Sequence, residues 1–150
     1  LVGSEMCKET DPKNYEKKGA RPRSILDGER FGVTRTGRKD AEEALGIQGT
    51  FDFPKPVRLI KHLIAIAGGA DAVVLDFFAG SGTTAQAVAE LNREDGGSRS
   101  VHLVQIAQPT EASSPARRAG FDSVADICLA RVQALDGLDF SHIRLTPIEE

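Results

Sequence analysis

The residues of this chain that are best suited to chemistry lie in one segment, VVLDFFAGSGTT at positions 73–84. An apolar run ends at Asp76, two phenylalanines follow, and Gly80 and Gly82 precede a run typical of a helix. Glycine lets the backbone turn tightly and approach a ligand closely. The first turn of a helix also offers free N–H groups to an anionic or polar group. The segment therefore predicts a site for a nucleotide-like ligand between a strand and a helix.

The residues around the glycines discriminate among the ligands that such a loop can bind. A phosphate-binding P-loop requires Lys after its last glycine, whereas Thr83 follows Gly82. The dinucleotide pattern G-x-G-x-x-G/A is met by Gly80, Gly82 and Ala85, but the next strand ends at Gln105 instead of an acid. A glycine turn that only packs a helix onto a strand is a further alternative. The loop looks most like that of S-adenosylmethionine-dependent methyltransferases, in which a carboxylate can accept from the methionine ammonium group beside an apolar wall.

The elements that must position this loop alternate between helices and strands. From residue 56 onward the order helix, strand, helix, strand, helix, strand indicates an α/β fold and half of a doubly wound sheet. Before that unit, the patterns predict a hairpin about Asp27-Gly28 and a helix over 37–45 ended by Gly46. Within it they predict a helix starting at Pro56 and stopped at 68–69, a strand over 73–78 and a helix over 83–94. A strand over 101–106, a helix over 123–135 and a strand over 142–146 follow.

Charge is distributed unevenly along the 150 residues, whose net charge is −3. Residues 12–39 contain nine Lys or Arg and three acids, whereas residues 51–150 contain nine Lys or Arg and thirteen acids. A basic segment joined to a mildly acidic domain fits contact with a phosphate backbone, and it fits a solvated leader equally well. The division predicts a basic polar leader over 1–50 and a ligand-binding unit over 51–150.

Cysteine and histidine usage indicates neither a disulfide framework nor a metal site. Cys7 and Cys128 are far apart and form no C-x-x-C pair, which suits a reducing cytoplasm. His62, His102 and His142 are isolated and lack the spacing of metal ligands. No apolar run approaches the roughly 18 residues that would cross a bilayer. We therefore expect a cytoplasmic protein without a metal or a membrane partner.

A second motif, FDFPKP at positions 51–56, precedes the helix that leads into the glycine strand. Its prolines predict an extended entry to that helix. Together with DFFAGSGTT, LNREDGG, VHLVQI and FDSVADICLARV, it resembles one family in order and spacing. The chain is similar, from about Arg21 to about Thr146, to the C-terminal part of the modification subunit of type III restriction-modification systems. These subunits are adenine-specific DNA methyltransferases of the permuted beta arrangement.

The resemblance implies a Rossmann-like methyltransferase fold and an S-adenosylmethionine site formed by both motifs. It implies partners as well: double-stranded DNA with a flipped adenine, a second copy in a homodimer and a helicase-nuclease restriction subunit. Gln105 stands where many related enzymes keep an acid for the cofactor ribose, and its amide can still bond hydroxyl groups. The implied cofactor-binding residues are Phe53, Lys55, Pro56, Asp76, Phe78, Gly80, Gly82, Thr83 and Gln105.

The catalytic motif of the family does not occur in these 150 residues. Methylation of the adenine amine requires a flipped base that is hydrogen-bonded and stacked on an aromatic ring. Family members use an Asp-Pro-Pro-Tyr tetrapeptide for this, whereas DPKNY at positions 11–15 shares only Asp-Pro. We therefore expect a cofactor-binding fragment with no catalytic residue, inactive by itself. Its residues 1–50, with Arg21-Pro22-Arg23-Ser24, resemble the end of the target-recognition region, where DNA contact is plausible.

Overall fold

The structure, a computed structural model, describes residues 25–136 and 138–145 and shows a mixed α/β arrangement. Strands β1 and β2 pair in parallel, with Asp76 opposite Leu103, and a helix connects them. The predicted strand–helix–strand unit is therefore confirmed, and its loop lies at the carboxyl end of β1. In chain order the elements are α1 (Gly28–Phe31), α2 (Thr34–Leu45), α3 (Val57–Ala67), β1 (Val73–Asp76), α4 (Thr83–Asp95), β2 (Ser100–Leu103), α5 (Pro115–Arg118) and α6 (Val124–Gln133).

The main core lies between α3, α4 and one face of the sheet. Val74 and Val101 pack against it from the two strands. On the opposite face Val73 and Leu75 remain 68% and 55% exposed, so within the described residues helices cover one side of the sheet. The buried members of the core are Val57, Ile64, Ala87, Val88 and Leu91.

Charged side chains fix α4 at its solvent side and at its end. The Lys61 ammonium on α3 bonds Glu90 at 3.1 Å and also bonds Glu94, which joins the two helices. Burial lowers the pKa of Lys61, but the hydrogen bonds to the two glutamates outweigh it and raise the pKa above its ordinary value. At the end of α4, the Arg99 guanidinium donates to Asp95 at 2.8 and 3.0 Å. These contacts hold α4 in one position relative to the sheet.

Helix α2 supports the proline-rich segment that leads into α3. The Asp40 carboxylate accepts the Val57 N–H at 2.9 Å, which satisfies a donor in the first turn of α3. The Arg38 guanidinium donates to the Asp52 carbonyl at 2.9 Å. The predicted helix over 37–45 is confirmed, with Gly46 as its left-handed C-cap, although it begins earlier, at Thr34. The FDFPKP segment is therefore held by residues that precede position 51, and the predicted boundary at residue 50 stays a prediction.

The predicted hairpin about Asp27-Gly28 is wrong. Asp27 is the N-cap of α1, and its carboxylate accepts the Glu29 N–H at 3.0 Å. An Asp before Gly can start a helix as readily as it can form a turn, because its side chain satisfies the first free N–H groups. The Phe31 ring at the end of α1 then packs 4.4 Å from the His62 ring. His62 is thus buried in a packing contact with α1.

The predicted third strand is absent from residues 142–145, and Thr146 lies outside the described residues. Ile143 and Leu145 are 78% and 87% exposed. Their alternation fits a strand, but a strand requires a partner edge, and no described segment pairs with them. The segments Arg21–Ser24 and DPKNY also lie outside the described residues.

Both observed strands are shorter than predicted, because the chain turns away from the sheet at the site. β1 ends at Asp76 instead of residue 78, since the Asp76 carboxylate accepts the Phe78 N–H at 3.0 Å. β2 ends at Leu103, which is paired with the last residue of β1. Helices α4 and α6 match their predicted positions, and Ser123 is the N-cap of α6, whereas the short helix α5 was not predicted.

Gly37 allows α2 to approach the proline-rich segment, and this contact can be tested by adding one methyl group. A Cβ at Gly37 would lie 2.2 Å from the Pro54 carbonyl oxygen. Helix propensity alone would favour Gly37→Ala by about 1 kcal/mol. We expect the overlap to outweigh this gain and to lower the free energy of unfolding by about 1–3 kcal/mol in urea titrations.

The matched control is Arg35→Ala, an exposed position on the same helix. We expect it to change stability by no more than about 0.5 kcal/mol. A Gly37→Ala variant that is more stable than the unmodified protein would contradict the close approach.

Candidate ligand-binding site

The Asp76 carboxylate organises the loop between β1 and α4. One of its oxygens accepts the Phe78 N–H at 3.0 Å, and the other accepts the Thr84 hydroxyl at 2.6 Å. The side chain is half-buried and forms no ion pair with any described residue. One carboxylate thus connects the end of the strand to the first turn of the helix, and no cation in the described part of the chain is paired with it.

The two glycines of the loop adopt conformations that other residues avoid. Gly80 has φ 55° and Gly82 has φ 79°, both in the left-handed region. A Cβ at Gly80 would lie 3.4 Å from the Phe51 ring, and one at Gly82 would lie 3.3 Å from the Cys128 carbonyl oxygen and sulfur. Gly82 is also the N-cap of α4 and contributes no side-chain acceptor. The first turn of α4 therefore keeps N–H groups without a side-chain cap.

A cavity of about 330 Å³ lies where this loop meets the FDFPKP segment. Its volume is at the lower end of the range for small-molecule sites, about 300–1,000 Å³. Ile60 of α3 and Phe51 add further apolar lining. Six of the nine predicted cofactor-binding residues line the cavity: Phe53, Lys55, Asp76, Phe78, Gly80 and Thr83.

The walls of the cavity combine apolar rings with two opposite charges. Phe53 and Phe78 are 73% and 91% exposed, so both rings are available to a ligand. Lys55 is exposed and makes no ion pair within the described part of the chain, and Asp76 supplies the opposite charge. A cavity with this lining fits a small zwitterionic ligand that carries a flat or cationic portion.

The other three predicted residues lie next to the cavity instead of on its wall. Pro56 is the buried N-cap of α3 and packs against Gly32. A Cβ added to Gly32 would lie only 2.7 Å from the Pro56 Cβ. Gly82 faces Cys128 of α6. The Gln105 amide oxygen accepts the Gly80 N–H at 2.7 Å, so in this structure Gln105 holds the loop itself. Direct cofactor contact by these three residues stays a prediction.

Arg131 belongs to the site, although no sequence motif predicted it there. Arg131 is fully buried, and its guanidinium donates to the Gln86 amide oxygen at 2.7 and 2.9 Å. It also donates to the hydroxyls of Ser81 at 3.0 Å and Thr83 at 3.1 Å. Burial lowers its pKa to about 10, so the group remains a cation at neutral pH. The available signal was a long cation on the otherwise apolar stripe of α6.

Neither thiol chemistry nor metal binding is supported in the described part of the chain. Burial raises the pKa of the Cys128 thiol to about 11, so it is protonated at neutral pH and packs as a small apolar group. No three His, Cys, Asp or Glu side chains within 25–136 and 138–145 converge as metal ligands. In the same residues, no helix combines the length and the apolar character needed to span a bilayer.

The geometry defines an α/β protein with a glycine-loop site, and sequence comparison now gives its family. Residues 5–124, well over half of the chain, match the family model described as DNA methylase, which covers the N6 and N4 methyltransferases. The chain belongs to this DNA methylase family.

The most informative relatives are modification enzymes of restriction systems. The chain is 44% identical over 98 residues to the type III restriction-modification enzyme StyLTI Mod subunit of Salmonella typhimurium strain LT2, covering 65% of this chain and 15% of that protein. It is 37% identical over 131 residues to the EcoPI Mod subunit of Escherichia phage P1, covering 87% and 20%. It is 44% identical over 82 residues to the type II methyltransferase M.KpnI of Klebsiella pneumoniae, covering 55% and 20%.

These matches confirm the resemblance to type III modification subunits. The chain spans no more than about a fifth of the length of these three relatives.

The packing of α6 against the glycine loop predicts unequal effects of two alanine substitutions at the ends of α4. Gly82 and Gly96 both have positive φ, 79° and 71°, so alanine at either position costs about 1–2 kcal/mol in backbone strain. A Cβ at Gly96 would meet nothing within 4 Å, whereas one at Gly82 would press on Cys128. We expect Gly82→Ala to lower the free energy of unfolding by about 1 kcal/mol more than Gly96→Ala in denaturant titrations. Equal losses would show that α6 does not constrain the loop.

Proposed function

We propose that this chain supplies the S-adenosylmethionine-binding part of an adenine-N6 DNA methyltransferase of a restriction-modification system. The observation that carries the proposal is the cavity at the end of β1, where Asp76, Lys55 and two exposed phenylalanines meet. Membership of the DNA methylase family and the similarity to Mod subunits support the same conclusion.

The charges and rings of the cavity match the groups of S-adenosylmethionine. Asp76 would accept hydrogen bonds from the methionine ammonium group, and Lys55 would meet its carboxylate. The rings of Phe53 and Phe78 offer electron-rich faces to the sulfonium and flat faces to the adenine. The uncapped N–H groups of α4 offer further donors to polar oxygens of the ligand.

Bound there, S-adenosylmethionine supplies a methyl group on an activated sulfonium, which an amine can displace directly without a metal. The residues of this chain would bind and orient the methyl donor and shield its apolar part from water. Pro56, Gly82 and Gln105 would act by holding the proline-rich segment and the loop in place. A contact between Gln105 and the ribose hydroxyls is a further part of the proposal.

The finer features of the whole enzyme belong to the same proposal. We propose that the sheet is part of a doubly wound, Rossmann-like domain, and that the basic segment over 12–39 contacts DNA next to the target-recognition region. We propose the flipped adenine and a homodimer from the resemblance alone, and a restriction subunit from the resemblance together with the Mod relatives. The proposed cytoplasmic location rests on the cysteine usage. Because the 150 residues contain no Asp-Pro-Pro-Tyr tetrapeptide, we propose that they bind the cofactor without transferring its methyl group.

Cofactor binding is tested by titration calorimetry with S-adenosylmethionine, S-adenosylhomocysteine and NAD. We expect the first two to bind and Asp76→Asn to weaken their binding by at least about tenfold, since the amide loses the charge that pairs with the ammonium. Asp52→Asn is the matched control, because it removes an equal charge from the FDFPKP segment outside the cavity. We expect its affinity to stay within about twofold of the unmodified protein. Tight NAD binding without S-adenosylmethionine binding would instead favour a dinucleotide module.

Methyl transfer is tested separately with tritiated S-adenosylmethionine and double-stranded DNA rich in adenine. We expect no transfer above background by the purified 150 residues, even at saturating cofactor, because no residue pattern for holding a flipped adenine is present. An engineered chain that carries the Asp-Pro-Pro-Tyr region of a Mod subunit in addition is expected to gain activity. Robust transfer by the 150 residues alone would disprove the proposed inactivity.

A further inference from the structure

Arg131 is placed where a structural cation would not be expected. It is fully buried, yet it forms no ion pair with a carboxylate in the described part of the chain. Its partners are the neutral oxygens of Gln86, Ser81 and Thr83. Arg99, also buried, is by contrast paired with the Asp95 carboxylate. Burying a charge is unfavourable, and the Asp40 and Glu90 carboxylates attract Arg131 without forming an ion pair, so its hydrogen bonds must compensate for much of that cost.

The location of Arg131 makes a second unfavourable contribution to the electrostatic free energy of the folded protein. Its guanidinium lies against the first turn of α4, where the helix dipole is positive, and a cation is disfavoured at that end of a helix. A charged donor nevertheless makes stronger hydrogen bonds than a neutral one, and its planar fork fixes the direction of its acceptors. Arg131 therefore fixes the geometry of the loop, and it does not stabilise the dipole of α4.

The glycine loop is thus held from two sides. Asp76 and Gln105 bond it at Phe78, Thr84 and Gly80. On the other side, the Arg131 guanidinium connects α6 to both hydroxyls of the Ser81–Thr83 turn and to α4 through Gln86. These acceptors lie 45–50 residues earlier in the chain.

We propose that Arg131 is a positioning residue that holds the glycine loop and the first turn of α4 in the ligand-binding conformation. It acts through Ser81, Thr83 and Gln86 and does not itself line the cavity. Helix α6 thereby becomes part of the cofactor site. The identity of the ligand in this inference rests on the proposed function, whereas the control of the loop by Arg131 does not.

The test compares Arg131→Met and Arg131→Lys with Arg99→Met, which removes a buried arginine at the opposite end of α4. Affinity for S-adenosylmethionine is measured by calorimetry, and amide hydrogen exchange is measured for residues 78–86 and for the rest of the chain. We expect Arg131→Met to weaken binding about tenfold or more and to accelerate exchange selectively in 78–86. Arg131→Lys should recover part of both, because an ammonium can still donate to the two hydroxyls. Arg99→Met should lower the melting temperature with affinity within about twofold.

Each other outcome also decides the proposal. Unchanged affinity in folded Arg131→Met, or faster exchange spread evenly over α4 and α6, would reduce Arg131 to a packing residue. If the unmodified protein does not bind S-adenosylmethionine, the proposed function fails. The role of Arg131 is then decided by hydrogen exchange alone. Selective acceleration in residues 78–86 supports that role, and unchanged exchange there overturns it.

If Arg131→Met does not fold, Gln86→Met and Arg131→Lys replace it in the test. Gln86→Met removes one acceptor of the guanidinium without touching the cavity. We then expect both variants to weaken binding about threefold to tenfold. Wild-type affinity in both would overturn the proposal.

Discussion

The site depends on the connection that the Asp76 carboxylate makes between the end of β1 and the first turn of α4. With one oxygen on the Phe78 N–H and the other on the Thr84 hydroxyl, it ends the strand and fixes where the helix begins. The two intervening glycines can then adopt positive φ, which brings the loop close to Phe51 and Cys128. A charged group that is only half-buried can do this and still face a ligand.

The walls of the cavity are short segments, and each is held by an element outside it. Helix α2 fixes the FDFPKP segment through Asp40, Arg38 and the close approach at Gly37. Helix α6 lies against Gly82 at Cys128, and its Arg131 side chain bonds the glycine loop. The cavity itself contains few rigidifying contacts, since its aromatic rings are largely exposed. Its shape is therefore maintained by Asp76 within the cavity and by α2 and α6 outside its wall.

Family membership and geometry contribute different parts of the functional argument. The DNA methylase match and the similarity to Mod subunits give the family of the chain. The cavity supplies the groups to which we assign separate contacts. We propose that its carboxylate and ammonium bind the two ends of an amino acid, and that its aromatic faces contact a sulfonium and a base.

Local sequence determined the strand–glycine loop–helix unit, helices α2, α3, α4 and α6, and the two segments that form the cavity. In each case apolar periodicity, a capping residue or a proline acts within a few residues of the element it defines. Two local predictions were wrong, each for its own reason. Asp27-Gly28 satisfies a helix N-cap as well as a turn. Residues 142–145 alternate as a strand would, but no segment within 25–136 and 138–145 offers them an edge to pair with. Only the tertiary structure decided that Gln105 bonds Gly80 and that Arg131 reaches Ser81 and Thr83. These partners are 25–50 residues apart, and such contacts depend on how α6 and β2 pack around the loop, which no pattern of neighbouring residues records.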